Sequence, residues 1–320
     1  MKRLTSSGTP ANSEISSILS NTKGVSVVSP SWFKLRNNKG NISSFASFDY
    51  VDYCHSQGVQ VWAMVKNTDL ESSDIDTTKI LTHTSSRQNL VNQLVSQALQ
   101  YNLDGINVDF RDLNVAEIGD AYIQFLRELS IKCENNDIVL STTVVVPEFD
   151  TGVYNYTEQS YYVDYICLMA YDQYKGQATG EGPVASLEWV ETNMKATLEE
   201  GISPEQLLLG IPFHSKLWDL TPTSNDEDSK YLIGFKNYGL TAAKNWMSEN
   251  VSDPTWLEKE GQYYGEVVKS GVTYKMWLED SSSIEKKLAL IKEYKLAGAA
   301  FWNSDLDNSS IWDTIIKYIN

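Results

Sequence analysis

Cysteine, histidine, proline and positive charge are all scarce in this chain. Among 320 residues there are three Cys, three His and eight Pro, and 26 Lys and Arg stand against 42 Asp and Glu. Three cysteines (Cys54, Cys133 and Cys167) cannot all pair within one chain, and two of them fall in apolar periodic segments, where a small buried hydrophobe is the usual role; no disulfide is assigned. Cys54-His55 looks like a fragment of a metal site, yet no second Cys/His pair stands at ligand spacing, so neither a metal nor another cofactor is expected. With a formal net charge of −16 the chain lacks the clustered Lys and Arg that hold a phosphate backbone, so nucleic acid is not the expected partner. A neutral or cationic partner fits better, and acidity also keeps a protein soluble. No apolar run reaches the ~20 residues of a membrane span, and the N-terminal MKRLTSSGTPANSE lacks the apolar stretch of a secretory leader. The Asn-x-Ser/Thr triplets at Asn41, Asn155, Asn250 and Asn308 are what chance yields in so Asn- and Ser-rich a chain.

What the chain does have is 42% hydrophobic content, enough for a large core, and a recurring pattern. Short β-rich segments alternate with stretches of helical periodicity, the signature of βα units around a parallel sheet. The strands read GVSVVSP (24–30), GVQVWAMV (58–65), LDGINVDF (103–110), IVLSTTVVV (138–146), YICLMAYD (165–172), QLLLGIPF (206–213) and GAAFW (298–302). Between them, residues 86–101 place Leu90, Val91, Leu94, Val95, Ala98 and Tyr101 on one helical face after a Ser cap, and 184–198 and 283–294 behave similarly. The strand set is one short of a closed (β/α)8 barrel, and residues 1–7 are the place left for the missing strand. The expected fold is therefore α/β: one (β/α)8 TIM-barrel domain over residues 1–320, with a small α+β insertion at approximately 215–280, between the seventh strand and its helix. About 65 residues are too long for a simple loop there. The insertion carries Trp218, Trp246, Trp256 and Trp277, which either wall a cleft or form the insertion's own core.

In barrel enzymes the working residues lie at the carboxyl ends of strands. In Asp104-Gly105-Ile106-Asn107-Val108-Asp109-Phe110-Arg111 the period of two puts Asn107, Asp109 and Arg111 on one face, with Ile106, Val108 and Phe110 facing the helices. Polar residues inside a buried strand cost several kcal/mol unless paired or functional, so this strand is the leading functional candidate.

The segment resembles the DG-x-D-x-D-x-E strand of glycoside hydrolase family 18, the chitinases and the spore-cortex or peptidoglycan-lytic N-acetylglucosaminidases. SPSWF (29–33), LMAYDQ (168–173), GPVASLEWV (182–190), LLLGIPF (207–213), YKMWLED (274–280) and LAGAAFW (296–302) extend the resemblance over roughly residues 20–315, nearest to the bacterial branch linked to spore envelopes and cell walls. The resemblance implies substrate-assisted hydrolysis, in which the sugar's 2-acetamido oxygen attacks the anomeric carbon while a glutamic acid protonates the leaving oxygen. It implies that Asp109 orients the acetamido group with Asn107 behind it in place of aspartate, that Tyr171 hydrogen-bonds the same group, that Met169 and Asp172 line the subsite, and that Trp302 floors it. Trp32 of SPSWF and His214 after GIPF are implied as further substrate contacts, His214 as a polar rim residue. Without the resemblance, Trp302 reads as core or interface, Tyr171-Asp172 as a strand terminus, and Met169 as core filler.

Where the family pattern asks for an acid, the chain has Arg111. Arginine stays protonated and cannot hand a proton to a departing oxygen. Asp112 points away from the cleft unless the strand ends there, and Glu148, beyond IVLSTTVVV, is the candidate substitute acid. Leu4-Thr5-Ser6-Ser7 on the first strand, Asn303 after the final tryptophan and His214 also depart from the pattern, which reads as drift after loss of catalysis; an introduced Glu-to-Arg change is the other origin. Asp109 is expected to pair with Arg111. Three functions follow: an impaired or inactive barrel that binds N-acetylglucosamine-containing peptidoglycan or chitin; an active glycosidase; or a structural module of a spore or cell envelope.

Overall fold

Pro30 shapes the first part of the sheet. It has no N–H to give to a ladder, and its carbonyl instead accepts from Met64 N at 2.8 Å and Trp32 N at 2.9 Å. The expected strand over 24–30 is accordingly cut to β1 (Val27–Val28), and a second short strand, β2 (Phe33–Leu35), follows the proline; both pair in parallel with β4 (Gln60–Lys66). The computed structural model describes residues 14–68, 74–113, 115–150, 152–223, 231–303, 306 and 308–318. The strand expected at residues 1–7 lies outside them.

Two units divide the chain, Met1–Met169 with Ala196–Leu208, and Ala170–Lys195 with Leu209–Asn320. In the first, α1 (Ile15–Asn21) precedes β1, β3 (Ile42–Ser44) pairs antiparallel with β2, and α2 (Phe48–Ser56) leads into β4. Then come α3 (Thr77–Thr82), α4 (Thr84–Gln100), β5 (Gly105–Asp109), α5 (Val115–Ile118), α6 (Ala121–Glu134), β6 (Val139–Val144), α7 (Tyr156–Ser160) and β7 (Tyr165–Leu168). Strands β4, β5, β6 and β7 are parallel neighbours in chain order, the arrangement that buries a sheet on both faces and explains the apolar runs of β4 and β7. Strand β7 stops at Leu168, before the YD pair.

Helix α4 buries Leu90, Val91, Leu94, Val95 and Ala98 as its periodicity foretells, together with Arg87. The Ser cap is not there: the helix starts at Thr84, its N-cap is His83, and no side chain caps it, while Tyr101 sits at the C-cap against the Phe48 ring. Gly40 packs beneath this helix at φ +76°, and a Cβ there would lie 2.0 Å from Ser86 O and 3.0 Å from Leu90 N. Gly40→Ala should therefore cost about 2 kcal/mol or more in urea unfolding, from left-handed strain plus a backbone clash that no rotamer relieves. All three cysteines are free and buried.

The second unit holds most of α8 (Leu187–Glu199) and of β8 (Leu207–Pro212), with β14 (Gly298–Trp302) beside β8. It also contains β9 (His214–Pro222), β10 (Tyr231–Gly239), α9 (Leu240–Asn250), β11 (Thr255–Leu257), β12 (Gln262–Lys269), β13 (Val272–Leu278), α10 (Ser281–Tyr294) and α11 (Ile311–Ile315). The inserted segment is an antiparallel sheet in the order β10-β9-β13-β12-β11. Its core is Leu217, Ala243, Met247, Met276 and Leu278, with Trp246 packed against it. Two of the four insertion tryptophans are thus absorbed by packing: Trp246 in that core, and Trp218, fully buried with its indole N–H donating to Gly182 O at 2.8 Å. Trp256 sets edge-on to Tyr263 and Trp277 tilts against Tyr264. Among the described residues no helix is long and apolar enough to cross a membrane.

Candidate functional site

Strand β5 is buried along its length, so its polar side chains must find partners within the sheet. Asn107 finds them on the adjacent strand: its Nδ2 donates to Ser141 Oγ at 2.8 Å, and Thr143 Oγ1 donates to its Oδ1 at 2.9 Å. Asp109 is 1% exposed and is gripped by Arg111 from two residues along the same face, Nε to Oδ1 at 2.7 Å and Nη2 to Oδ2 at 3.0 Å. This is the bidentate fork that a planar guanidinium offers a carboxylate. The pairing expected from strand alternation is present. On the opposite face Phe110 stacks on Phe125 of α6, with centroids 5.6 Å apart.

The main chain around Arg111 is held as firmly as its side chain. Asn67, just past the end of β4, donates from Nδ2 to Arg111 O at 2.7 Å and accepts from Arg111 N at 2.8 Å. Tyr154 donates its hydroxyl to Phe110 O at 2.7 Å, and burial pushes that phenol well above its ordinary range, which keeps the proton on the donor. Tyr122, edge-on to Tyr154, is likewise raised by burial first and by its tyrosine and Asp109 neighbours second. Strand β5 ends at Asp109, and Asp112 beyond it takes a left-handed φ of +54°. Glu148 is exposed on the short 3-10 turn Pro147–Phe149 beyond β6.

Two of the expected sugar contacts in SPSWF and GIPF-H need correction. Trp32 is fully buried and edge-on to Tyr50 at 4.9 Å, so its indole is core and has no face for a ligand. His214 is 3% exposed, a buried residue and not a rim one. Trp32 lies between β1 and β2 with Tyr50 of α2 packed edge-on to it, and His214 opens β9 with its ring enclosed, so packing from other segments closes over both. Met169 is nearly buried too, with its N–H on Val144 O at 2.9 Å. Tyr171 and Trp302 are partly exposed, and Trp302 O accepts from Phe213 N at 2.7 Å. Asp172 is 48% exposed at φ +61° and pairs with Lys216 Nζ at 2.9 Å. Asn67, Tyr154 and Lys216 escaped the sequence reading. Only Asn67 had a signal, its position at the carboxyl end of a barrel strand.

Polar residues gathered at the carboxyl end of a parallel strand, in a chain of alternating strands and helices, are the arrangement of an α/β barrel with its site at the strand ends. The chain belongs to Glycosyl hydrolases family 18, whose profile matches residues 12–307. Its curated relatives include the glycosylase YvbX of Bacillus subtilis (strain 168), 23% identical over 288 residues, covering 87% of this chain and 80% of YvbX. The cortical fragment-lytic enzyme of Bacillus anthracis is 23% identical over 266 residues, covering 79% of this chain, which spans only 59% of that enzyme. The crystal structure of a chitinase from Chromobacterium violaceum ATCC 12472 superposes with a TM-score of 0.81 over 99% of this chain and 98% of the chitinase, at 16% identity. The fold is accordingly the (β/α)8 barrel with its α+β insertion, as the strand pattern foretold.

Proposed function

We propose that this chain binds N-acetylglucosamine-containing polysaccharide, peptidoglycan or chitin, as a family 18 barrel whose hydrolytic step is lost or strongly impaired. The observation that carries the reading is the Arg111–Asp109 fork: the residue standing where the family keeps its acid is a guanidinium already committed to the neighbouring carboxylate. It releases no proton at any ordinary pH. Within this reading residues 1–320 act as one domain with the insertion at 215–280. Asp109 and Tyr171 serve the acetamido group, Asn107 backs Asp109, Met169 and Asp172 line the subsite, and Trp302 offers its ring to the sugar. Family membership and the names of the relatives, a chitinase and a cortical fragment-lytic enzyme, support the ligand class. A cell-wall or spore-envelope setting goes with it.

Titration calorimetry with N-acetylglucosamine oligomers and muropeptides tests this. Binding by the unmodified chain is expected, with Trp302→Ala weakening it about tenfold, the size of a lost aromatic stacking contact. No heat with either ligand, and no effect of Trp302→Ala on cell-wall pull-down, would sink it. The same ion pair favours a second reading, a structural envelope module whose Asp109 is neutralised by the chain itself. Absence of binding, with the fold intact, would select that one.

A further inference from the structure

Three titratable side chains of the second unit meet at the start of β9. The Lys216 side chain is only 3% exposed, and its ammonium is held from several sides. It donates to Tyr174 O at 2.7 Å, pairs with Asp172 Oδ1 at 2.9 Å, and lies 4.8 Å from the Phe235 ring centroid and 5.7 Å from that of Trp218. A buried ammonium is tolerated only when so partnered, and each of these partners fixes its position. Asp172 is different. Half its side chain remains exposed while its partner is buried, so the ion pair anchors one oxygen and leaves the carboxylate facing outward. His214, from the same strand, brings Nε2 to 3.9 Å from Asp172 Oδ1, while its buried Nδ1 has no hydrogen-bond partner. At 2.9 Å against 3.9 Å, Lys216 is the nearer of the two basic groups to Asp172.

We infer that Lys216 is a positioning residue that holds Asp172 as a fixed, acceptor-only carboxylate for the hydroxyl and amide N–H donors of a neutral sugar. The inference rests on the glycan reading for its ligand. Burial alone would raise the Asp172 carboxyl; the His214 and Lys216 neighbours more than reverse this and hold it well below the ordinary carboxylate range. Asp172 is therefore no substitute for the missing acid. It accepts, and with its charge offset by Lys216 it favours an uncharged donor over a cation.

The test has two arms. Without ligand, thermal unfolding of the unmodified chain, Lys216→Met, Asp172→Asn and the double variant is followed from pH 7 to pH 3.5. Because the folded carboxyl is depressed, its stabilisation is present above the unfolded value and is lost as pH falls. The gap between the unmodified chain and Lys216→Met should be widest near neutrality and narrow through the carboxylate range, and Asp172→Asn should cost much less in the Lys216→Met background. Additive, pH-independent losses would overturn the inference. With ligand, calorimetry using an N-acetylglucosamine oligomer at pH 7 and pH 4 should show binding by Lys216→Met falling about twofold or more between the two, as the unpaired carboxyl takes up a proton, with the unmodified chain and Lys216→Arg flat. Parallel pH profiles for all three would also overturn it. If none of them binds the oligomer, the glycan reading fails, and the ligand-free arm alone decides whether Lys216 governs Asp172.

Discussion

Changing Arg111 to glutamate is expected to raise hydrolysis of a fluorogenic N-acetylglucosamine oligomer by about 10²–10⁴-fold over the unmodified chain, the usual contribution of a positioned general acid. The geometry favours a large gain. Residue 111 shares a face with Asp109, and its backbone is clamped on both sides by Asn67 and capped by the Tyr154 bond to the preceding carbonyl. A glutamate there inherits a fixed position. It also inherits a carboxyl neighbour that is 1% exposed, and two carboxyls at close range hold a proton between them more tightly than either does alone, which favours a protonated acid before reaction. The substitution has a cost, because Asp109 loses its ion-pair partner. Breaking a fully buried pair costs about 3–5 kcal/mol, and the one-third exposure of the Arg111 side chain places this case at about 2–3 kcal/mol. Turnover should therefore be measured well below the lowered Tm. Hydrolysis by the unmodified chain would overturn the impaired reading and turn attention to Glu148, exposed beyond β6. Silence in both proteins, each shown to be folded, would favour binding or structure over catalysis.

Lys287→Met is expected to be the most destabilising single change outside that site, by about 3–5 kcal/mol in chemical denaturation. Lys287 and Glu279 are 1% and 0% exposed in their side chains, and Lys287 Nζ donates to both carboxylate oxygens at 2.9 and 3.0 Å. Gln262 Nε2 and Ser283 Oγ also donate to Glu279, and Ser215 Oγ accepts from its backbone N–H. The network ties the end of β13 to the first turns of α10. Burial still pushes the Glu279 carboxyl above its ordinary value despite the lysine, which shows how much the pair relies on Lys287. Without the ammonium the carboxylate is stranded in the interior. The double variant Glu279→Gln/Lys287→Met should recover most of the loss, since a neutral amide still accepts from Gln262, can donate to Ser283 Oγ in place of accepting from it, and carries no charge. A loss below about 1 kcal/mol for Lys287→Met would show that the interior relaxes around the carboxylate or admits water.

What could be read along the chain was whatever depends on local period. The alternation in β5 foretold that Asn107, Asp109 and Arg111 would share a face, that Phe110 would turn to a helix, and that a guanidinium two residues from a carboxylate would pair with it; each holds. Residues whose surroundings come from distant segments did not announce themselves. Asn67 and Arg111 are 44 positions apart, as are Tyr154 and Phe110, and Lys216 reaches Tyr174 across 42. Trp32 and His214 were misplaced for the same reason: family pattern gives a residue's address but not its exposure, and packing from elsewhere closed over both. The Ser cap expected for α4 failed because helix starts are set by which backbone turn the preceding chain can enter, and α3 delivers the chain to His83 directly.

The amino-acid sequence by itself determined the strand and helix alternation, the family, and the placing of Arg111 on the same face as Asp109, because each depends only on side-chain chemistry and short-range spacing. Tertiary structure alone decided what those groups are bonded to. It clamped Arg111 with Asn67, sealed Trp32 into the core, buried Lys216 behind Asp172 and shut the Glu279–Lys287 pair away from water. Burial and partnership arise from contacts between segments far apart in the chain, and these set whether a charge is a reactive group, an anchor or a brace.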